Sequence, residues 1–314
     1  MHGGYAMKKP GVIQELVRNR VLYVMLLPAV AFFTVFHYVP LAGLVLAFKQ
    51  FDFRKGMFLS PWNGLENFRF FFLSGRALGV TMNTILYNLA FLGVGVVLQV
   101  SVAVLISEIP GRLFKKITQS LLFFPYFISW VIVGAFVYNI LNYEYGAFNG
   151  LLRSLNVEPF NAYGQPWVWK YVLLAANAWK WTGYGSIIYL AAIMSIDPTV
   201  FDSAKIDGAG VLRQVWHITL PMLSPTIVVL LLLNLGTVLR GDFQMFYQII
   251  GDSGQLFNAT DVIDTFVFRA LFRSSGFNVG MASAAGFYQS VFCFAIILLT
   301  NTLIRRVNSD YALY

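Results

Sequence analysis

The apolar residues of this chain are gathered into runs long enough to cross a bilayer, and no other feature restricts its fold as strongly. About 20 consecutive apolar residues span the hydrocarbon as one helix. The expected fold class is therefore all-α: a polytopic transmembrane bundle rather than one oversized soluble core. Charge supports this. Only 11% of the residues are charged and 58% are hydrophobic, where a soluble domain carries roughly a quarter charged residues. Mean hydropathy is +0.68.

Six spans are read from the runs: about Leu22–Phe48, Ala77–Ile106, Ile117–Leu141 broken near Pro125, Val168–Ile196, a fifth starting after Pro221, and Val279–Ile304. Residues 1–21 and 305–314 are then terminal segments, with 22–304 the membrane domain. Positive charge orients the chain. With the N-terminus inside, eleven Lys and Arg lie on the cytoplasmic side, among them Lys8, Lys9, Arg18, Arg20, Arg305 and Arg306. Nine lie outside, among them Lys49, Arg240 and Arg273. The basic stretch ahead of the first span and the Arg305-Arg306 stop set both termini in the cytoplasm. The first run is too long for a signal-peptide core, and no small-residue cleavage site follows it.

Several chemistries find no support. The lone Cys293 has no partner for a disulfide or a cysteine metal site, and His2, His37 and His217 show no metal-ligand spacing. No basic aromatic stripe of the nucleic-acid-binding kind is present. An intramembrane enzyme needs a nucleophile, a metal cluster or a paired acid and base, and none is visible. No G-x-x-x-x-G-K-[ST] phosphate loop occurs.

Two spans carry polar anomalies. The clean run Thr226–Leu239 is too short to cross, and its natural extension passes through Arg240, Asp242 and Gln244 to Ile250. Either those residues line a wet cavity within the membrane or the span stops at Leu239. In the fourth span Trp179-Lys180-Trp181 places Lys180 too deep to snorkel easily, as a solute contact or a structural partner. With Tyr184, Asn234 and Tyr288, these residues are the candidates for a solute path: Trp179, Lys180, Tyr184, Asn234, Arg240, Asp242, Gln244 and Tyr288. Asn83, Asn88, Gln99, Asn139, Asn177 and Gln289 read mostly as interhelical glue.

Between spans four and five, residues 197–221 predict two short helices. Asp197 is a good N-cap with Pro198 at the first helical position. Gly208 suits a left-handed turn, and Pro221 is expected to stop the second helix near His217. Small residues along it permit close approach of another surface.

This segment resembles the EAA loop of binding-protein-dependent ABC importer permeases. Asp202-Ser203-Ala204 stands where that family has Glu-Ala-Ala, Asp207-Gly208-Ala209 matches its DGA, and Ile218, Leu220-Pro221 and Pro225 match its I-x-LP-x-x-x-P tail. The resemblance covers nearly the whole chain and is closest to the MalF-like sugar branch, through Trp179-Lys180-x-x-Gly183, Asn63-Gly64-Leu65-Glu66-Asn67-Phe68 and Asn83-Thr84. Ile263 to Arg269, with Ala282 to Gln289, is similar to the subgroup importing oligosaccharides from complex polysaccharides, including the larger permease subunits for alginate.

The resemblance implies a transport subunit of a bacterial inner membrane, without an ATPase site, that passes an acidic oligosaccharide by alternating access. Its partners would be a second permease, an ABC ATPase dimer holding ATP and Mg2+, and an extracytoplasmic solute-binding protein. Asp202, Ser203, Ala204, Lys205, Asp207, Gly208, Ala209 and Arg213 would couple it to the ATPase. Lys180 or Arg240 is expected to meet a uronate carboxylate. The main rival is a secondary transporter, which normally shows repeated halves; no convincing internal repeat is seen.

Overall fold

A computed structural model of the chain describes residues 15, 17–73, 75–272 and 279–307. His2, Lys8, Lys9, Arg273 and most of both terminal segments lie outside these described residues. Among the described residues the regular structure is helical, apart from a single antiparallel bridge between Lys49 and Trp62. Twelve helices position the site: α1 Arg20–Phe48, α2 Glu66–Leu73, α3 Ala77–Glu108, α4 Arg112–Phe123, α5 Trp130–Leu141, α6 Ala147–Ser154, α7 Pro166–Met194, α8 Pro198–Ile206, α9 Val211–Leu235, α10 Phe243–Ile250, α11 Ile263–Phe272 and α12 Val279–Val307.

The helices α1, α3, α9 and α12 are each long and apolar enough to cross a membrane, and the number is six if the bent pairs α4–α5 and α7–α8 each count as one span. The expected break near Pro125 is present: α4 and α5 meet at 89° across a 3-10 turn at Phe124–Phe127.

Pro221 does not stop its helix, contrary to expectation. A π turn at Val215–Thr219 leads into Leu220, and α9 runs through both Pro221 and Pro225. Proline lacks an N–H and collides with the carbonyl four residues earlier. Widening the preceding turn accommodates both defects. Pro40 in α1 follows a similar π turn, Thr34–Tyr38. The fifth span therefore gains its length toward Val211. It ends at Leu235, and Arg240–Ile250 is not its continuation.

The packing centre is α3 against α7. Around it, α12 packs on the Val39–Phe48 end of α1, α10 on α5, and α9 between α7 and α12. Glycine permits two close approaches. A Cβ on Gly183 of α7 would strike the Leu122 carbonyl, and one on Gly134 of α5 would strike the Gln248 carbonyl. Small residues let backbones meet where hydrophobicity gives helices no reason to associate.

Each helix break releases carbonyls that hydrocarbon cannot hydrate, at several kcal/mol apiece. In four places a polar side chain from another helix meets the released carbonyls. The Asn67 amide donates to Leu46, Ala47 and Lys49 at the end of α1. Lys180 is 6% exposed, and its Nζ donates to the carbonyls of Pro125, Tyr126 and Ile128 at the α4–α5 break and lies 5.1 Å from the Trp130 ring centroid. Asn88 donates to Val238 and Arg240 beyond α9, and Asn83 to Asn258 and Asp261. Replacing Lys180 with Met is expected to destabilise the protein by about 3 kcal/mol, the cost of stranding buried acceptors of a charged donor. Cys293 is the only cysteine and is buried, so its heat-induced labelling by a thiol dye measures this directly. An unchanged unfolding temperature would show that the carbonyls find other donors.

Candidate functional site

Where α9 ends, the chain leaves helical geometry over residues 236–242 before α10 begins, and a cavity of about 460 Å³ opens between this stretch, α3, α7 and α9. It is partly open to the exterior. Its polar lining is Asn88 and Gln99 from α3, Asn177 from α7, and Asn234, Thr237, Arg240 and Asp242 from the end of α9 and beyond. Its aromatic lining is Phe91, Trp181, Tyr184 and Tyr189. The volume falls within the usual 300–1,000 Å³ of small-molecule sites. Positions 88–99 are the middle of α3, so a membrane crossed by that helix would hold the cavity near its mid-depth.

The sequence candidates divide here. Tyr184, Asn234, Arg240 and Asp242 line the cavity. Tyr184 stacks on Tyr126, with centroids 4.4 Å apart and planes at 15°. Asn234 donates to its own helix at Leu230. Arg240 is exposed to the cavity and makes no ion pair among the described residues. Asp242 is committed elsewhere: one oxygen accepts the Met245 N–H at 3.0 Å and caps α10, and the other accepts Trp130 Nε1 at 2.9 Å. The structure does not bring the other four to the cavity. Lys180 is enclosed by the carbonyls it caps, Trp179 is 47% exposed off the cavity, and Gln244 is exposed on α10. Tyr288 packs on Phe292 of α12 and Phe72 of α2.

Sequence reasoning passed over Trp181, Tyr189, Thr237 and Phe91 as lining, and treated Asn88, Gln99 and Asn177 as glue. The signal was available in spacing. Residues 177, 181, 184 and 188 form one face of α7, and 88, 92, 95 and 99 one face of α3. Each face carries amides amid apolar residues.

The second feature is the hairpin formed by α8 and the start of α9. The expected Asp197 cap is present. Its carboxylate accepts the Thr199 N–H at 2.9 Å, and that bond holds Asp197 below the usual carboxylate range. The cap is therefore intact at neutral pH and fades as pH falls through that lowered value. Gly208 takes φ +76°, with Gly208 N–H donating to Lys205 and Ala209 N–H to Ala204. This is a Schellman closure, in which only glycine is unstrained at that position. Ser203 bonds back to Thr199 and Asp202 pairs with Lys205 at 3.1 Å on the surface. Asp207 caps the end of α8, and Arg213 is exposed on the following turn, its carbonyl bonded to His217. The outer surface is apolar: Ile206, Leu212 and Trp216 are 88%, 78% and 67% exposed. Among the described residues no cluster of His, Cys, Asp or Glu is placed to hold a metal ion.

The family model for "binding-protein-dependent transport system inner membrane component" matches residues 95–309. The polygalacturonan/rhamnogalacturonan transport system permease YteP of Bacillus subtilis is 32% identical over 96% of this chain and 93% of its own length. The trehalose/maltose transport system permease MalF of Thermococcus litoralis is 27% identical over 90% and 94%. Among solved structures, a bacterial ABC transporter involved in import of the acidic polysaccharide alginate superposes with TM-score 0.83 and 32% identity, covering 95% of this chain and 99% of that one. A second, of a bacterial alginate ABC transporter in complex with an alginate pentasaccharide-bound periplasmic protein, gives 0.83 and 31% over 94% and 98%.

The bonding of Asp242 makes it a structural acceptor. Asp242→Ala should cost about 3 kcal/mol, because it strands a buried indole N–H and uncaps α10, and Asp242→Asn should cost less. Thermal unfolding read at Cys293 checks this, and a neutral Asp242→Ala would mean the carboxylate is free for the cavity.

Proposed function

The chain belongs to the inner-membrane components of binding-protein-dependent transport systems, and on that premise we propose that it forms one half of a mid-membrane path for acidic oligosaccharides. It is a multi-pass sugar permease of an ABC importer, with the importer-permease fold, rather than an ATPase. A gradient-driven secondary transporter is thereby set aside.

The observation that carries the acidic substrate is Arg240. The Arg240 guanidinium makes no ion pair among the described residues, and a cation held in a cavity lined by amides and aromatic faces favours an anionic ligand. The amides match sugar hydroxyls, and Trp181 and Tyr184 offer faces to pyranose rings. The names of two comparison proteins, a polygalacturonan/rhamnogalacturonan permease and an alginate transporter, point the same way. Of the two cations expected to meet a uronate, Lys180 and Arg240, the role falls to Arg240, because the Lys180 ammonium is enclosed by backbone carbonyls.

In this reading the open side of the cavity faces a second permease, both termini are cytoplasmic, and the α8–α9 hairpin seats its apolar tip in a partner ATPase dimer. ATP and Mg2+ act on those partner subunits, whose closure supplies the displacement. A hairpin closed by the Schellman bonds is stiff and joined directly to α9, which ends at the cavity. It therefore transmits movement between two discrete arrangements of the spans. Asp202, Ser203, Ala204, Lys205, Asp207, Gly208, Ala209 and Arg213 make up this joint, and no bond of the sugar changes.

The test is ATP hydrolysis by the assembled transporter in liposomes, with binding protein and either uronate or neutral oligosaccharides. Stimulation by uronates alone is expected, and stimulation by neutral sugars would remove the acidic substrate while keeping the importer. Arg240→Gln should weaken use of uronates about tenfold and leave neutral sugars unaffected. Gly208→Pro forces φ near −65° on a residue that needs +76°. It should leave the spans folded yet uncouple hydrolysis from import; normal coupled transport would count against the hairpin's role.

A further inference from the structure

The backbone that carries Arg240 is non-helical, yet it is held from four helices. Asn88 of α3 donates to the carbonyls of Val238 and Arg240 at 2.8 and 3.0 Å. Gln289 of α12 donates to the Leu239 carbonyl at 2.8 Å. Trp130 of α5 donates to Asp242. The fourth contact differs in kind. Asp264 of α11 turns one carboxylate oxygen, Oδ2, onto the Gly241 N–H at 2.6 Å, and the same oxygen accepts Gln289 Nε2 at 3.1 Å. A Cβ at Gly241 would lie 2.8 Å from Val262 and 3.1 Å from that oxygen, so the carboxylate sits directly against the backbone.

From this geometry we infer that Asp264 is a positioning residue for Arg240, and that the cavity grips an acidic sugar only while α11 and α12 stay docked on residues 236–242. The inference rests on the reading that Arg240 meets a carboxylate. Asp264 and Asn88 between them hold Gly241, Arg240 itself and Val238, so the clamp sets where the guanidinium emerges. As a carboxylate, Asp264 carries the charge opposite to that of Arg240, one residue from the Gly241 N–H it accepts. It thus does two separable things. Its hydrogen bond presents the cation, and its charge offsets part of the cation's field, which favours release. Because the clamp draws on α3, α5, α11 and α12, a rearrangement of these helices shifts Arg240 without any contact to the sugar. Affinity for the anion is thereby tied to conformational state, since a ligand responds to a transition only through contacts that differ between the states.

The experiment uses the full transporter, solubilised without binding protein, with trigalacturonate and maltotriose as probes. Hydrogen–deuterium exchange across 236–242 is followed in parallel. Asp264→Leu removes both functions. It should raise exchange in that segment and weaken trigalacturonate binding about tenfold relative to maltotriose, the scale of one charge-assisted hydrogen bond. Asp264→Asn keeps an acceptor for Gly241 and loses the charge. It should leave exchange unchanged and bind trigalacturonate at least as tightly as wild type. A merely structural role would weaken both sugars alike. Should Asp264→Leu fail to assemble, Gln289→Met, which removes the donor that fixes Asp264, should show the same selective loss in milder form. An unchanged sugar ratio in Asp264→Leu or Gln289→Met, or equal losses in Asp264→Asn and Asp264→Leu, overturns the inference. If Arg240→Gln still abolishes the preference for acid, the function stands and only the positioning role falls. If wild type shows no preference, the acidic-substrate reading fails and the inference fails with it.

Discussion

Backbone carbonyls released at helix breaks inside a membrane must find donors in the protein, and that requirement organises this structure. Water is absent there, so a break without a cap is not an available conformation. The chain meets the need with few side chains. Lys180 serves the α4–α5 break, Asn67 the end of α1, and Asn88 with Gln289 the stretch beyond α9. Each cap comes from a different helix than the break it serves, so the caps also set how the helices lie against one another.

The cavity is a consequence of one of these breaks. Had α9 continued as a helix through Arg240, its side chains would have emerged at regular helical spacing toward lipid and neighbours alike. Ending α9 at Leu235 and restarting at Phe243 turns Thr237, Arg240 and Asp242 toward α3 and α7. Irregular backbone at membrane depth is tolerated where it lines a cavity or is enclosed by protein, and both conditions hold here. The hairpin at the other end of α9 is built oppositely, from short-range bonds alone. Asp197, Pro198 and Gly208 close it with no help from the spans. A unit that is stiff by itself and continuous with a span through the π turn at Val215–Thr219 is suited to carry a displacement.

Local features were the most legible. The cap at Asp197, the left-handed Gly208 and the break at Pro125 follow from side-chain chemistry within a few residues, and the structure has them. Pro221 misled because its effect depends on the turn before it: a proline rule assumes a regular α-turn, and a π turn removes the clash. Lys180 was legible as an anomaly and not as a cap, since its partners lie more than fifty residues away.

By itself the sequence determined that the chain is a helical membrane bundle with a compact hairpin of importer type. Hydrophobic length, capping residues and turn glycines act through neighbours in the chain, and a linear reading reaches them. Only the tertiary structure decided which polar residues are spent on the backbone and which face the cavity. Lys180 and Asp242 are both ionisable groups in apolar surroundings, as Arg240 is, and composition cannot rank the three. The order is set by where the orphaned carbonyls and N–H groups fall. Those positions depend on how α3, α5, α7, α11 and α12 pack, and helices held together by close approach and interhelical hydrogen bonds leave no periodic trace of that arrangement in the sequence.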